Sequence, residues 1–276
     1  MEPVSIIVPA FNEEKAIGTV LAALKALPLN AEIVVVDDGS SDNTANIARE
    51  AGVVVVQHPT NTGYGRSLKD GILAAKHDVI VITDADGTYP IDRIPDLVSE
   101  LERGFDMVVG ARQGLSYRGL WLKMPARILF KFLVEFTTGQ YIPDVNSGLR
   151  AFRKATAMKY FGEICSGFSF TTTITLIYLH AGHLVHYMPI EYHKRIGRSK
   201  VRMLRDSLRT MQYITECIVR YNPIKTFLLL SFGALLWGLL WSVLYGWDAL
   251  FDAGLIAALL FGLGLVAESL RRPSQR

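Results

Sequence analysis

Between Val4 and Gly110 the chain alternates between two kinds of segment. Short β-branched runs stand at "VSIIV" (4–8), "EIVVVD" (32–37), "VVVVQ" (53–57), "VIVITD" (79–84) and "DMVVG" (106–110). Helical patterns lie between them, at 14–27, 42–50, 63–75 and 92–102. Strands that are apolar on both faces, each followed by a helix, predict an α/β fold: a mostly parallel sheet covered by helices. Such sheets bind ligands at the carboxyl ends of their strands, near a topological switch point. Three of these ends carry polar segments: "PAFNEE" after the first strand, "DDGSSDNT" after the second and "DADGTYP" after the fourth. All three fall on one edge of the sheet and form the walls of a cleft.

The C-terminal region obeys another rule. Residues 227–246 contain no charge, and residues 249–267 contain only Asp252. Each run is long enough to cross a hydrocarbon core of about 30 Å. Uncharged runs of this length are rare in soluble cores, so a transmembrane helical hairpin is expected. Arg220 and Lys225 precede it, Arg271, Arg272 and Arg276 follow it, and the connection has no basic residue. The positive-inside rule then puts both ends, and everything before them, in the cytoplasm of a multi-pass membrane protein. The opening "MEPVSIIVPA" has too short an apolar run for a secretory signal. A net charge of +3 gives no reason to expect a nucleic-acid partner. Cys165 and Cys217 have no metal-type spacing and read as reduced thiols.

Two further segments are amphipathic. In "RGLWLKMPARILFKFLVEFTT" (118–138), Lys123, Arg127 and Lys131 recur every four residues on an otherwise apolar helix that has Trp121 near one end. Such a helix either packs in a core with one solvated face or lies in a membrane interface. Residues 203–221 place Leu204, Leu208, Met211, Thr215 and Ile218 on one helix face before Pro223. The expected organisation is a catalytic domain over 1–201, a juxtamembrane helix over 202–224, two spans over 225–268 and a basic tail over 269–276.

Two carboxylates, Asp84 and Asp86, stand one residue apart where the fourth strand ends. Residues i and i+2 of a strand share a face, so both can point into the cleft, where they repel each other unless a cation lies between them. Hard oxygen ligands suit Mg²⁺ or Mn²⁺, which complete their shells with water and phosphate oxygens. The plainer reading is a turn in which Asp86 caps the next helix. In "VVVDDGSSDNT", Ser41 or Asp42 can serve as a helix N-cap, whereas Asp37, at the strand end itself, has no such role.

Taken in order, "SIIVPAFNEE", "EIVVVDDGSSDNT", "NTGYGRSLKDGI" and "VITDADGTYP" resemble the catalytic domain of family 2 glycosyltransferases, which have the GT-A fold. The chain is most similar to the branch that uses polyprenyl phosphates, which includes dolichol-phosphate mannose synthases and undecaprenyl-phosphate glucosyltransferases. The resemblance covers about residues 4–201 and implies inverting transfer of a hexose from GDP-mannose or a UDP-sugar to a polyprenyl phosphate. It implies that Pro9, Phe11 and Glu13 frame the nucleotide and that Asp37 contacts base or ribose. Asp84 and Asp86 would hold the metal and the donor diphosphate. Arg112 would be a cleft arginine, and Asp144 would precede an S-G-[LF]-R stretch containing Arg150. The mannose synthases often have Gln two residues after the second Asp; this chain has Thr88 there. Lys194, Arg195, Arg198 and Lys200 resemble the segment that binds acceptor phosphate, with either Lys194 or Arg195 standing for its leading arginine. A phosphate monoester is already anionic at neutral pH, so it attacks without a strong base; Asp144 is a possible assistant.

Other patterns carry less. "GYGRSL" lacks the third glycine of a dinucleotide fingerprint. His180, His183 and His186 read as helix-end and surface histidines rather than a zinc site. "SFTTTITL" (169–176) reads as a helix near the cleft whose threonines either pack there or contact sugar. No Q-x-x-R-W motif of processive synthases is present. A non-catalytic membrane scaffold would have no use for the paired carboxylates.

Overall fold

The computed structural model describes residues 1–113, 124–195 and 203–271. Two compact units emerge, one formed by Met1–Ile128 with Ile142–Tyr213 and the other by Leu129–Tyr141 with Ile214–Arg276.

The first unit contains β1 (Val4–Ala10), α1 (Ile17–Lys25), β2 (Ala31–Asp37), α2 (Thr44–Glu50), β3 (Val54–Gln57), α3 (Tyr64–Ala74), β4 (Val79–Ile82), α4 (Ile94–Glu102) and β5 (Met107–Gln113). After α5 (Met124–Thr138) it continues with β6 (Arg150–Arg153), α6 (Lys154–Lys159), α7 (Phe170–His180) and β7 (Val185–Glu191). The strands form one sheet in the order β3-β2-β1-β4-β6-β5-β7. All pairings are parallel except those of β6, which runs antiparallel between β4 and β5. The five strands read from the sequence are all present.

The sheet interior follows from composition. Every residue of β1 and β4 is buried, because helices cover both faces and β-branched side chains fill them. α4 contributes Ile94, Leu97, Val98 and Leu101 to this core. The chain leaves β1 toward β2 and β3 on one side, whereas β4 pairs with β1 on the other. The order therefore reverses between β1 and β4, and a crevice opens beyond the carboxyl ends of those strands.

The second unit contains most of α5, the end of α8 (Met203–Tyr221), α9 (Pro223–Tyr245) and α10 (Trp247–Arg271). α9 and α10 pack antiparallel: Gly238 lies against Ala253, and Gly264 against Phe227. Both are long and apolar enough to cross a membrane. Trp237 is 62% exposed, Leu240 68% and Val243 82%, so these are not the buried helices of a soluble core. An apolar surface of this extent requires lipid around it, and the chain is membrane-associated. At the near end, Lys225 Nζ donates to the carbonyls of Phe136 (3.0 Å) and Thr137 (3.2 Å), which α5 leaves unpaired at its C-terminus.

α8 is a continuous helix over the amphipathic segment read from the sequence. Ile214 and Ile218 are buried, whereas Met211 and Thr215 are exposed. Trp121, Lys123, Arg272 and Arg276 lie outside the described residues, as does the side chain of Arg127. Cys165 and Cys217 are free thiols.

Candidate active site

The loops after β1 and β2 are sewn together. Asn12 takes a left-handed conformation, with φ of 52°. Its backbone N–H donates to Ser40 Oγ (2.8 Å), and its side-chain carbonyl accepts from Ser41 N (2.8 Å). Asp42 Oδ1 accepts from Thr44 N (3.0 Å) in the first turn of α2, so the acidic run after β2 is partly a helix start. Gly39, with φ of 71°, passes so near the backbone of Thr60 that a Cβ would lie 2.6 Å from it.

The adjacent carboxylates Asp37 and Asp38 have opposite surroundings. Asp38 accepts from Thr62 N, Thr62 Oγ1 and Gly63 N, each at 2.8 Å. His58 Nδ1 also lies 2.8 Å from it, while His58 Nε2 stands 3.1 Å from Asp70. Burial opposes the Asp38 charge, yet these donors outweigh it and hold the carboxyl below its ordinary range. Asp37 is completely buried, and neither of its oxygens has a partner among the described residues.

Across β1, Asp84 Oδ1 accepts from Tyr64 Oη at 3.0 Å. Burial, and next the charge of Asp86, push the Asp84 carboxyl up to about 7. Gly148 closes one side: a Cβ there would lie 3.0 Å from Asp84 Oδ2. Asp86 is 5% exposed. Its Oδ1 accepts from Thr88 N (3.1 Å) and Thr88 Oγ1 (2.6 Å), so Asp86 closes a turn and caps no helix. Thr88 therefore orients Asp86. Arg195 Nη1 lies 3.2 Å from Asp86 Oδ2, and its Nη2 pairs with Glu13 Oε1. Two close carboxylates, one pushed up first by burial and next by the other's charge, suit a cation. Among the described residues no group of three or more His, Cys, Asp or Glu gathers to hold one. A donor set of two hard oxygens fits Mg²⁺ or Mn²⁺ with water and phosphate as the other ligands.

On the far wall, Arg112 at the end of β5 forks onto Asp144, with Nε to Oδ2 at 2.7 Å and Nη2 to Oδ1 at 2.9 Å. Asp144 also accepts from the backbone N–H groups of Arg112 (3.2 Å) and Asn146 (3.1 Å). The cation further stacks over Tyr192, 5.4 Å from the ring centroid. Arg150 is fully buried, away from the crevice surface. Tyr89 Oη accepts from Gly148 N at 2.6 Å, and burial raises its pKa.

The structure thus brings Glu13, Asp86 and Arg195 into direct contact, and Arg112 with Asp144. Pro9 is buried inside β1, and Phe11 is partly exposed just beyond it. Of the two alternatives for the leading acceptor residue, Arg195 enters the crevice and Lys194 stays exposed. Arg198 and Lys200 lie outside the described residues. Sequence reasoning missed Tyr64, Tyr89 and Asn146. Tyr64 stands inside the "GYGRSL" segment, where attention to glycines hid it.

Residues 5–161 match the family described as glycosyl transferase family 2. A dolichyl-phosphate hexose transferase of Haloferax volcanii is 29% identical over 201 residues, 72% of this chain and 87% of that protein. An undecaprenyl-phosphate 4-deoxy-4-formamido-L-arabinose transferase of Edwardsiella ictaluri is 35% identical over 162 residues, 55% of this chain and 49% of its own length. Among solved structures, glucosyl-3-phosphoglycerate synthase of Mycobacterium tuberculosis, in complex with Mn²⁺, UDP and glucosyl-3-phosphoglycerate, aligns with a TM-score of 0.65 at 19% identity. That alignment covers 79% of this chain and 80% of that one, and at this identity it speaks for the GT-A fold.

Proposed function

We propose a reaction for this chain, which belongs to glycosyl transferase family 2: it moves a hexose from a nucleoside-diphosphate sugar to a polyprenyl phosphate at the cytoplasmic face of a membrane, with inversion. The observation that carries this reading is the pairing of two features at the switch point. Asp37 is a buried carboxylate with no donor among the described residues, and Asp84 with Asp86 is a close carboxylate pair suited to a divalent cation. A nucleotide base or ribose supplies N–H or O–H donors to the first, and a diphosphate bound through a divalent ion meets the second. The named activities of the relatives support a polyprenyl phosphate as acceptor.

Asp84 and Asp86 would hold Mg²⁺ or Mn²⁺, which supplies positive charge against the leaving diphosphate. Asp37 accepts from the base or ribose, and Pro9, Phe11 and Glu13 line that end of the crevice. Arg112, aimed by Asp144, adds fixed positive charge in the site. Lys194, Arg195, Arg198 and Lys200 hold the acceptor phosphate, with arginine forks on its oxygens. A phosphate oxygen attacks the anomeric carbon, the bond from that carbon to the diphosphate oxygen breaks, and the nucleoside diphosphate leaves. The attacking monoester has a second pKa near 6 and is already ionised, so no base is required.

The test is incubation of the detergent-purified full chain with a panel of GDP- and UDP-sugars. Each is offered polyprenyl phosphate or a soluble phosphorylated acceptor, with Mn²⁺, Mg²⁺ or chelator. The expected product is a lipid-linked sugar that needs the metal. Transfer to the soluble acceptor alone would overturn the lipid assignment, and full turnover in chelator would overturn the metal assignment.

A further inference from the structure

The loop from Asp144 to Gly148 is tied down more heavily than a surface loop requires. Arg150 Nε and Nη2 both donate to the carbonyl of Ser147, and its Nη1 donates to Thr171 O (3.0 Å) and Thr175 Oγ1 (3.0 Å). Thr175 Oγ1 lies 3.3 Å from Val145 O. The hydroxyls of Thr171 and Thr172 both donate to Asn146 Oδ1, at 2.7 and 2.9 Å. These four side chains are at most 3% exposed. A buried guanidinium is tolerated only where its N–H groups are met. Here they are met by carbonyls and a hydroxyl of the loop and of α7, so the threonine run of α7 serves the loop.

The consequence falls on Asn146. Its carbonyl oxygen is taken by two hydroxyls, so its amide nitrogen, which offers two donors, faces the other way. The hydrogen bonds of Asn146 among the described residues run through its backbone N–H and Oδ1, which leaves that nitrogen available, and Asn146 is partly exposed. Two residues on, the α-carbon of Gly148 faces the Asp84 carboxylate. Two residues of chain span at most about 7 Å. Two residues back, Asp144 aims Arg112. The amide donor is therefore held on the loop that borders Asp84, within two residues of Gly148, on the side where the sugar next to a bound diphosphate would lie.

We propose that Asn146 is a specificity-determining residue whose Nδ2 donates to a hydroxyl of the donor hexose, with Thr171, Thr172 and Arg150 as positioning residues. This rests on the reading above, that the donor diphosphate lies at Asp84 and Asp86. An amide held toward the sugar gains a hydrogen bond only from a donor that carries the matching hydroxyl, so it favours that sugar over one that lacks it.

The experiment uses the full chain in detergent, the nucleotide sugar it turns over and the monodeoxy analogues of that sugar. Asn146→Ala should lower kcat/KM for the parent donor by about 10-fold or more. It should leave the affinity for the bare nucleoside diphosphate unchanged by calorimetry. For one deoxy donor, wild type and Asn146→Ala should be equally poor, which identifies the contacted hydroxyl. Thr171→Val with Thr172→Val keeps the amide but frees its orientation; it should raise KM and blunt the discrimination. Equal Asn146→Ala losses for every donor, or a proportional loss of nucleoside-diphosphate affinity, would overturn the proposal, and so would a double valine variant with wild-type discrimination. Binding of donors by calorimetry needs no lipid, so an absent lipid product would sink the acceptor reading alone. A wild type that binds donors while Asn146→Ala is indifferent to their hydroxyls would sink this inference alone.

Discussion

Arg195 places Nη1 3.2 Å from Asp86 Oδ2 while its Nη2 pairs with Glu13. The guanidinium just beyond β7 thus neutralises the same carboxylate that is proposed to hold the metal. Arg195 Nε is buried and has no partner among the described residues, so this placement rests on the two carboxylates. A metal ion and a guanidinium at one carboxylate repel each other and compete for it. Arg195→Ala should therefore bind Mn²⁺ more tightly, by about 3- to 10-fold at low salt, by calorimetric titration of the full chain. Weaker Mn²⁺ binding in that variant would show that Arg195 supports the ion instead.

Asp84 gives a pH prediction whose sign follows from its raised pKa. The carboxyl titrates near 7 when folded, against an ordinary value of 3.8. Between those values the metal-free folded state keeps a proton that the unfolded state has lost, so stability declines as pH rises through that window. Asp84→Asn removes the decline. At pH 8 without metal it should raise the Tm by about 3 °C or more, the shift that accompanies roughly 1 kcal/mol in a domain of this size. Transfer should fall by about 100-fold or more, since the carboxylate pair is lost. A variant that melts lower than wild type at pH 8 would contradict the assignment of burial as the main cause.

Asp144 is a possible assisting base from the sequence, and its surroundings favour a positioning role. Its two oxygens accept from Arg112 Nε, Arg112 Nη2 and two backbone N–H groups, and it is 3% exposed. A carboxylate so fully engaged positions an arginine. Asp144→Asn should lower stability by about 3 kcal/mol, because it leaves a largely buried cation without its counter-charge. It should also lower kcat/KM. The shape of the pH–rate profile should not change, whereas loss of a base would remove its acidic limb.

The sheet and the two long apolar helices were legible because their signals are local. β-branched runs buried on both faces, and long runs without charge, need no knowledge of their neighbours. The same holds for the D-x-D pair, whose repulsion is written into its spacing. β6 was not legible: "RAFR" has two apolar residues, and its strand character comes from pairing with β4 and β5. β7 carries Pro189, which an edge strand at the end of the sheet order tolerates. Arg150 reads as a surface residue and is fully buried, because carbonyls from loop and helix converge on it only in the folded chain. Asn146 fails for the same reason: its donors come from a helix some 25 residues away in sequence.

The last prediction concerns neighbours with opposite fates. Asp38 is engaged by His58, Thr62 and Gly63, which pin the segment 58–63 against the end of β2. Asp37, one residue earlier, is equally buried and has no donor for either oxygen among the described residues. Burying an unpaired charge is unfavourable, whereas a carboxylate met by several donors is favourable. Asp38→Asn should therefore destabilise the protein by about 2 kcal/mol, and with it the pinned segment. Because the folded Asp38 carboxyl is held below its ordinary range, the stability it adds is present above the unfolded value and is lost as pH falls through the folded one. Asp37→Asn should do the reverse, with an unchanged or higher Tm and a weaker hold on the nucleotide. Its donor KM and its affinity for the bare nucleoside diphosphate should worsen together, by about 10-fold or more, with little change in kcat. If Asp37→Asn melted lower than wild type and bound the nucleoside diphosphate normally, the unpartnered carboxylate would be a structural element and the nucleotide end of the crevice would have to be sought elsewhere.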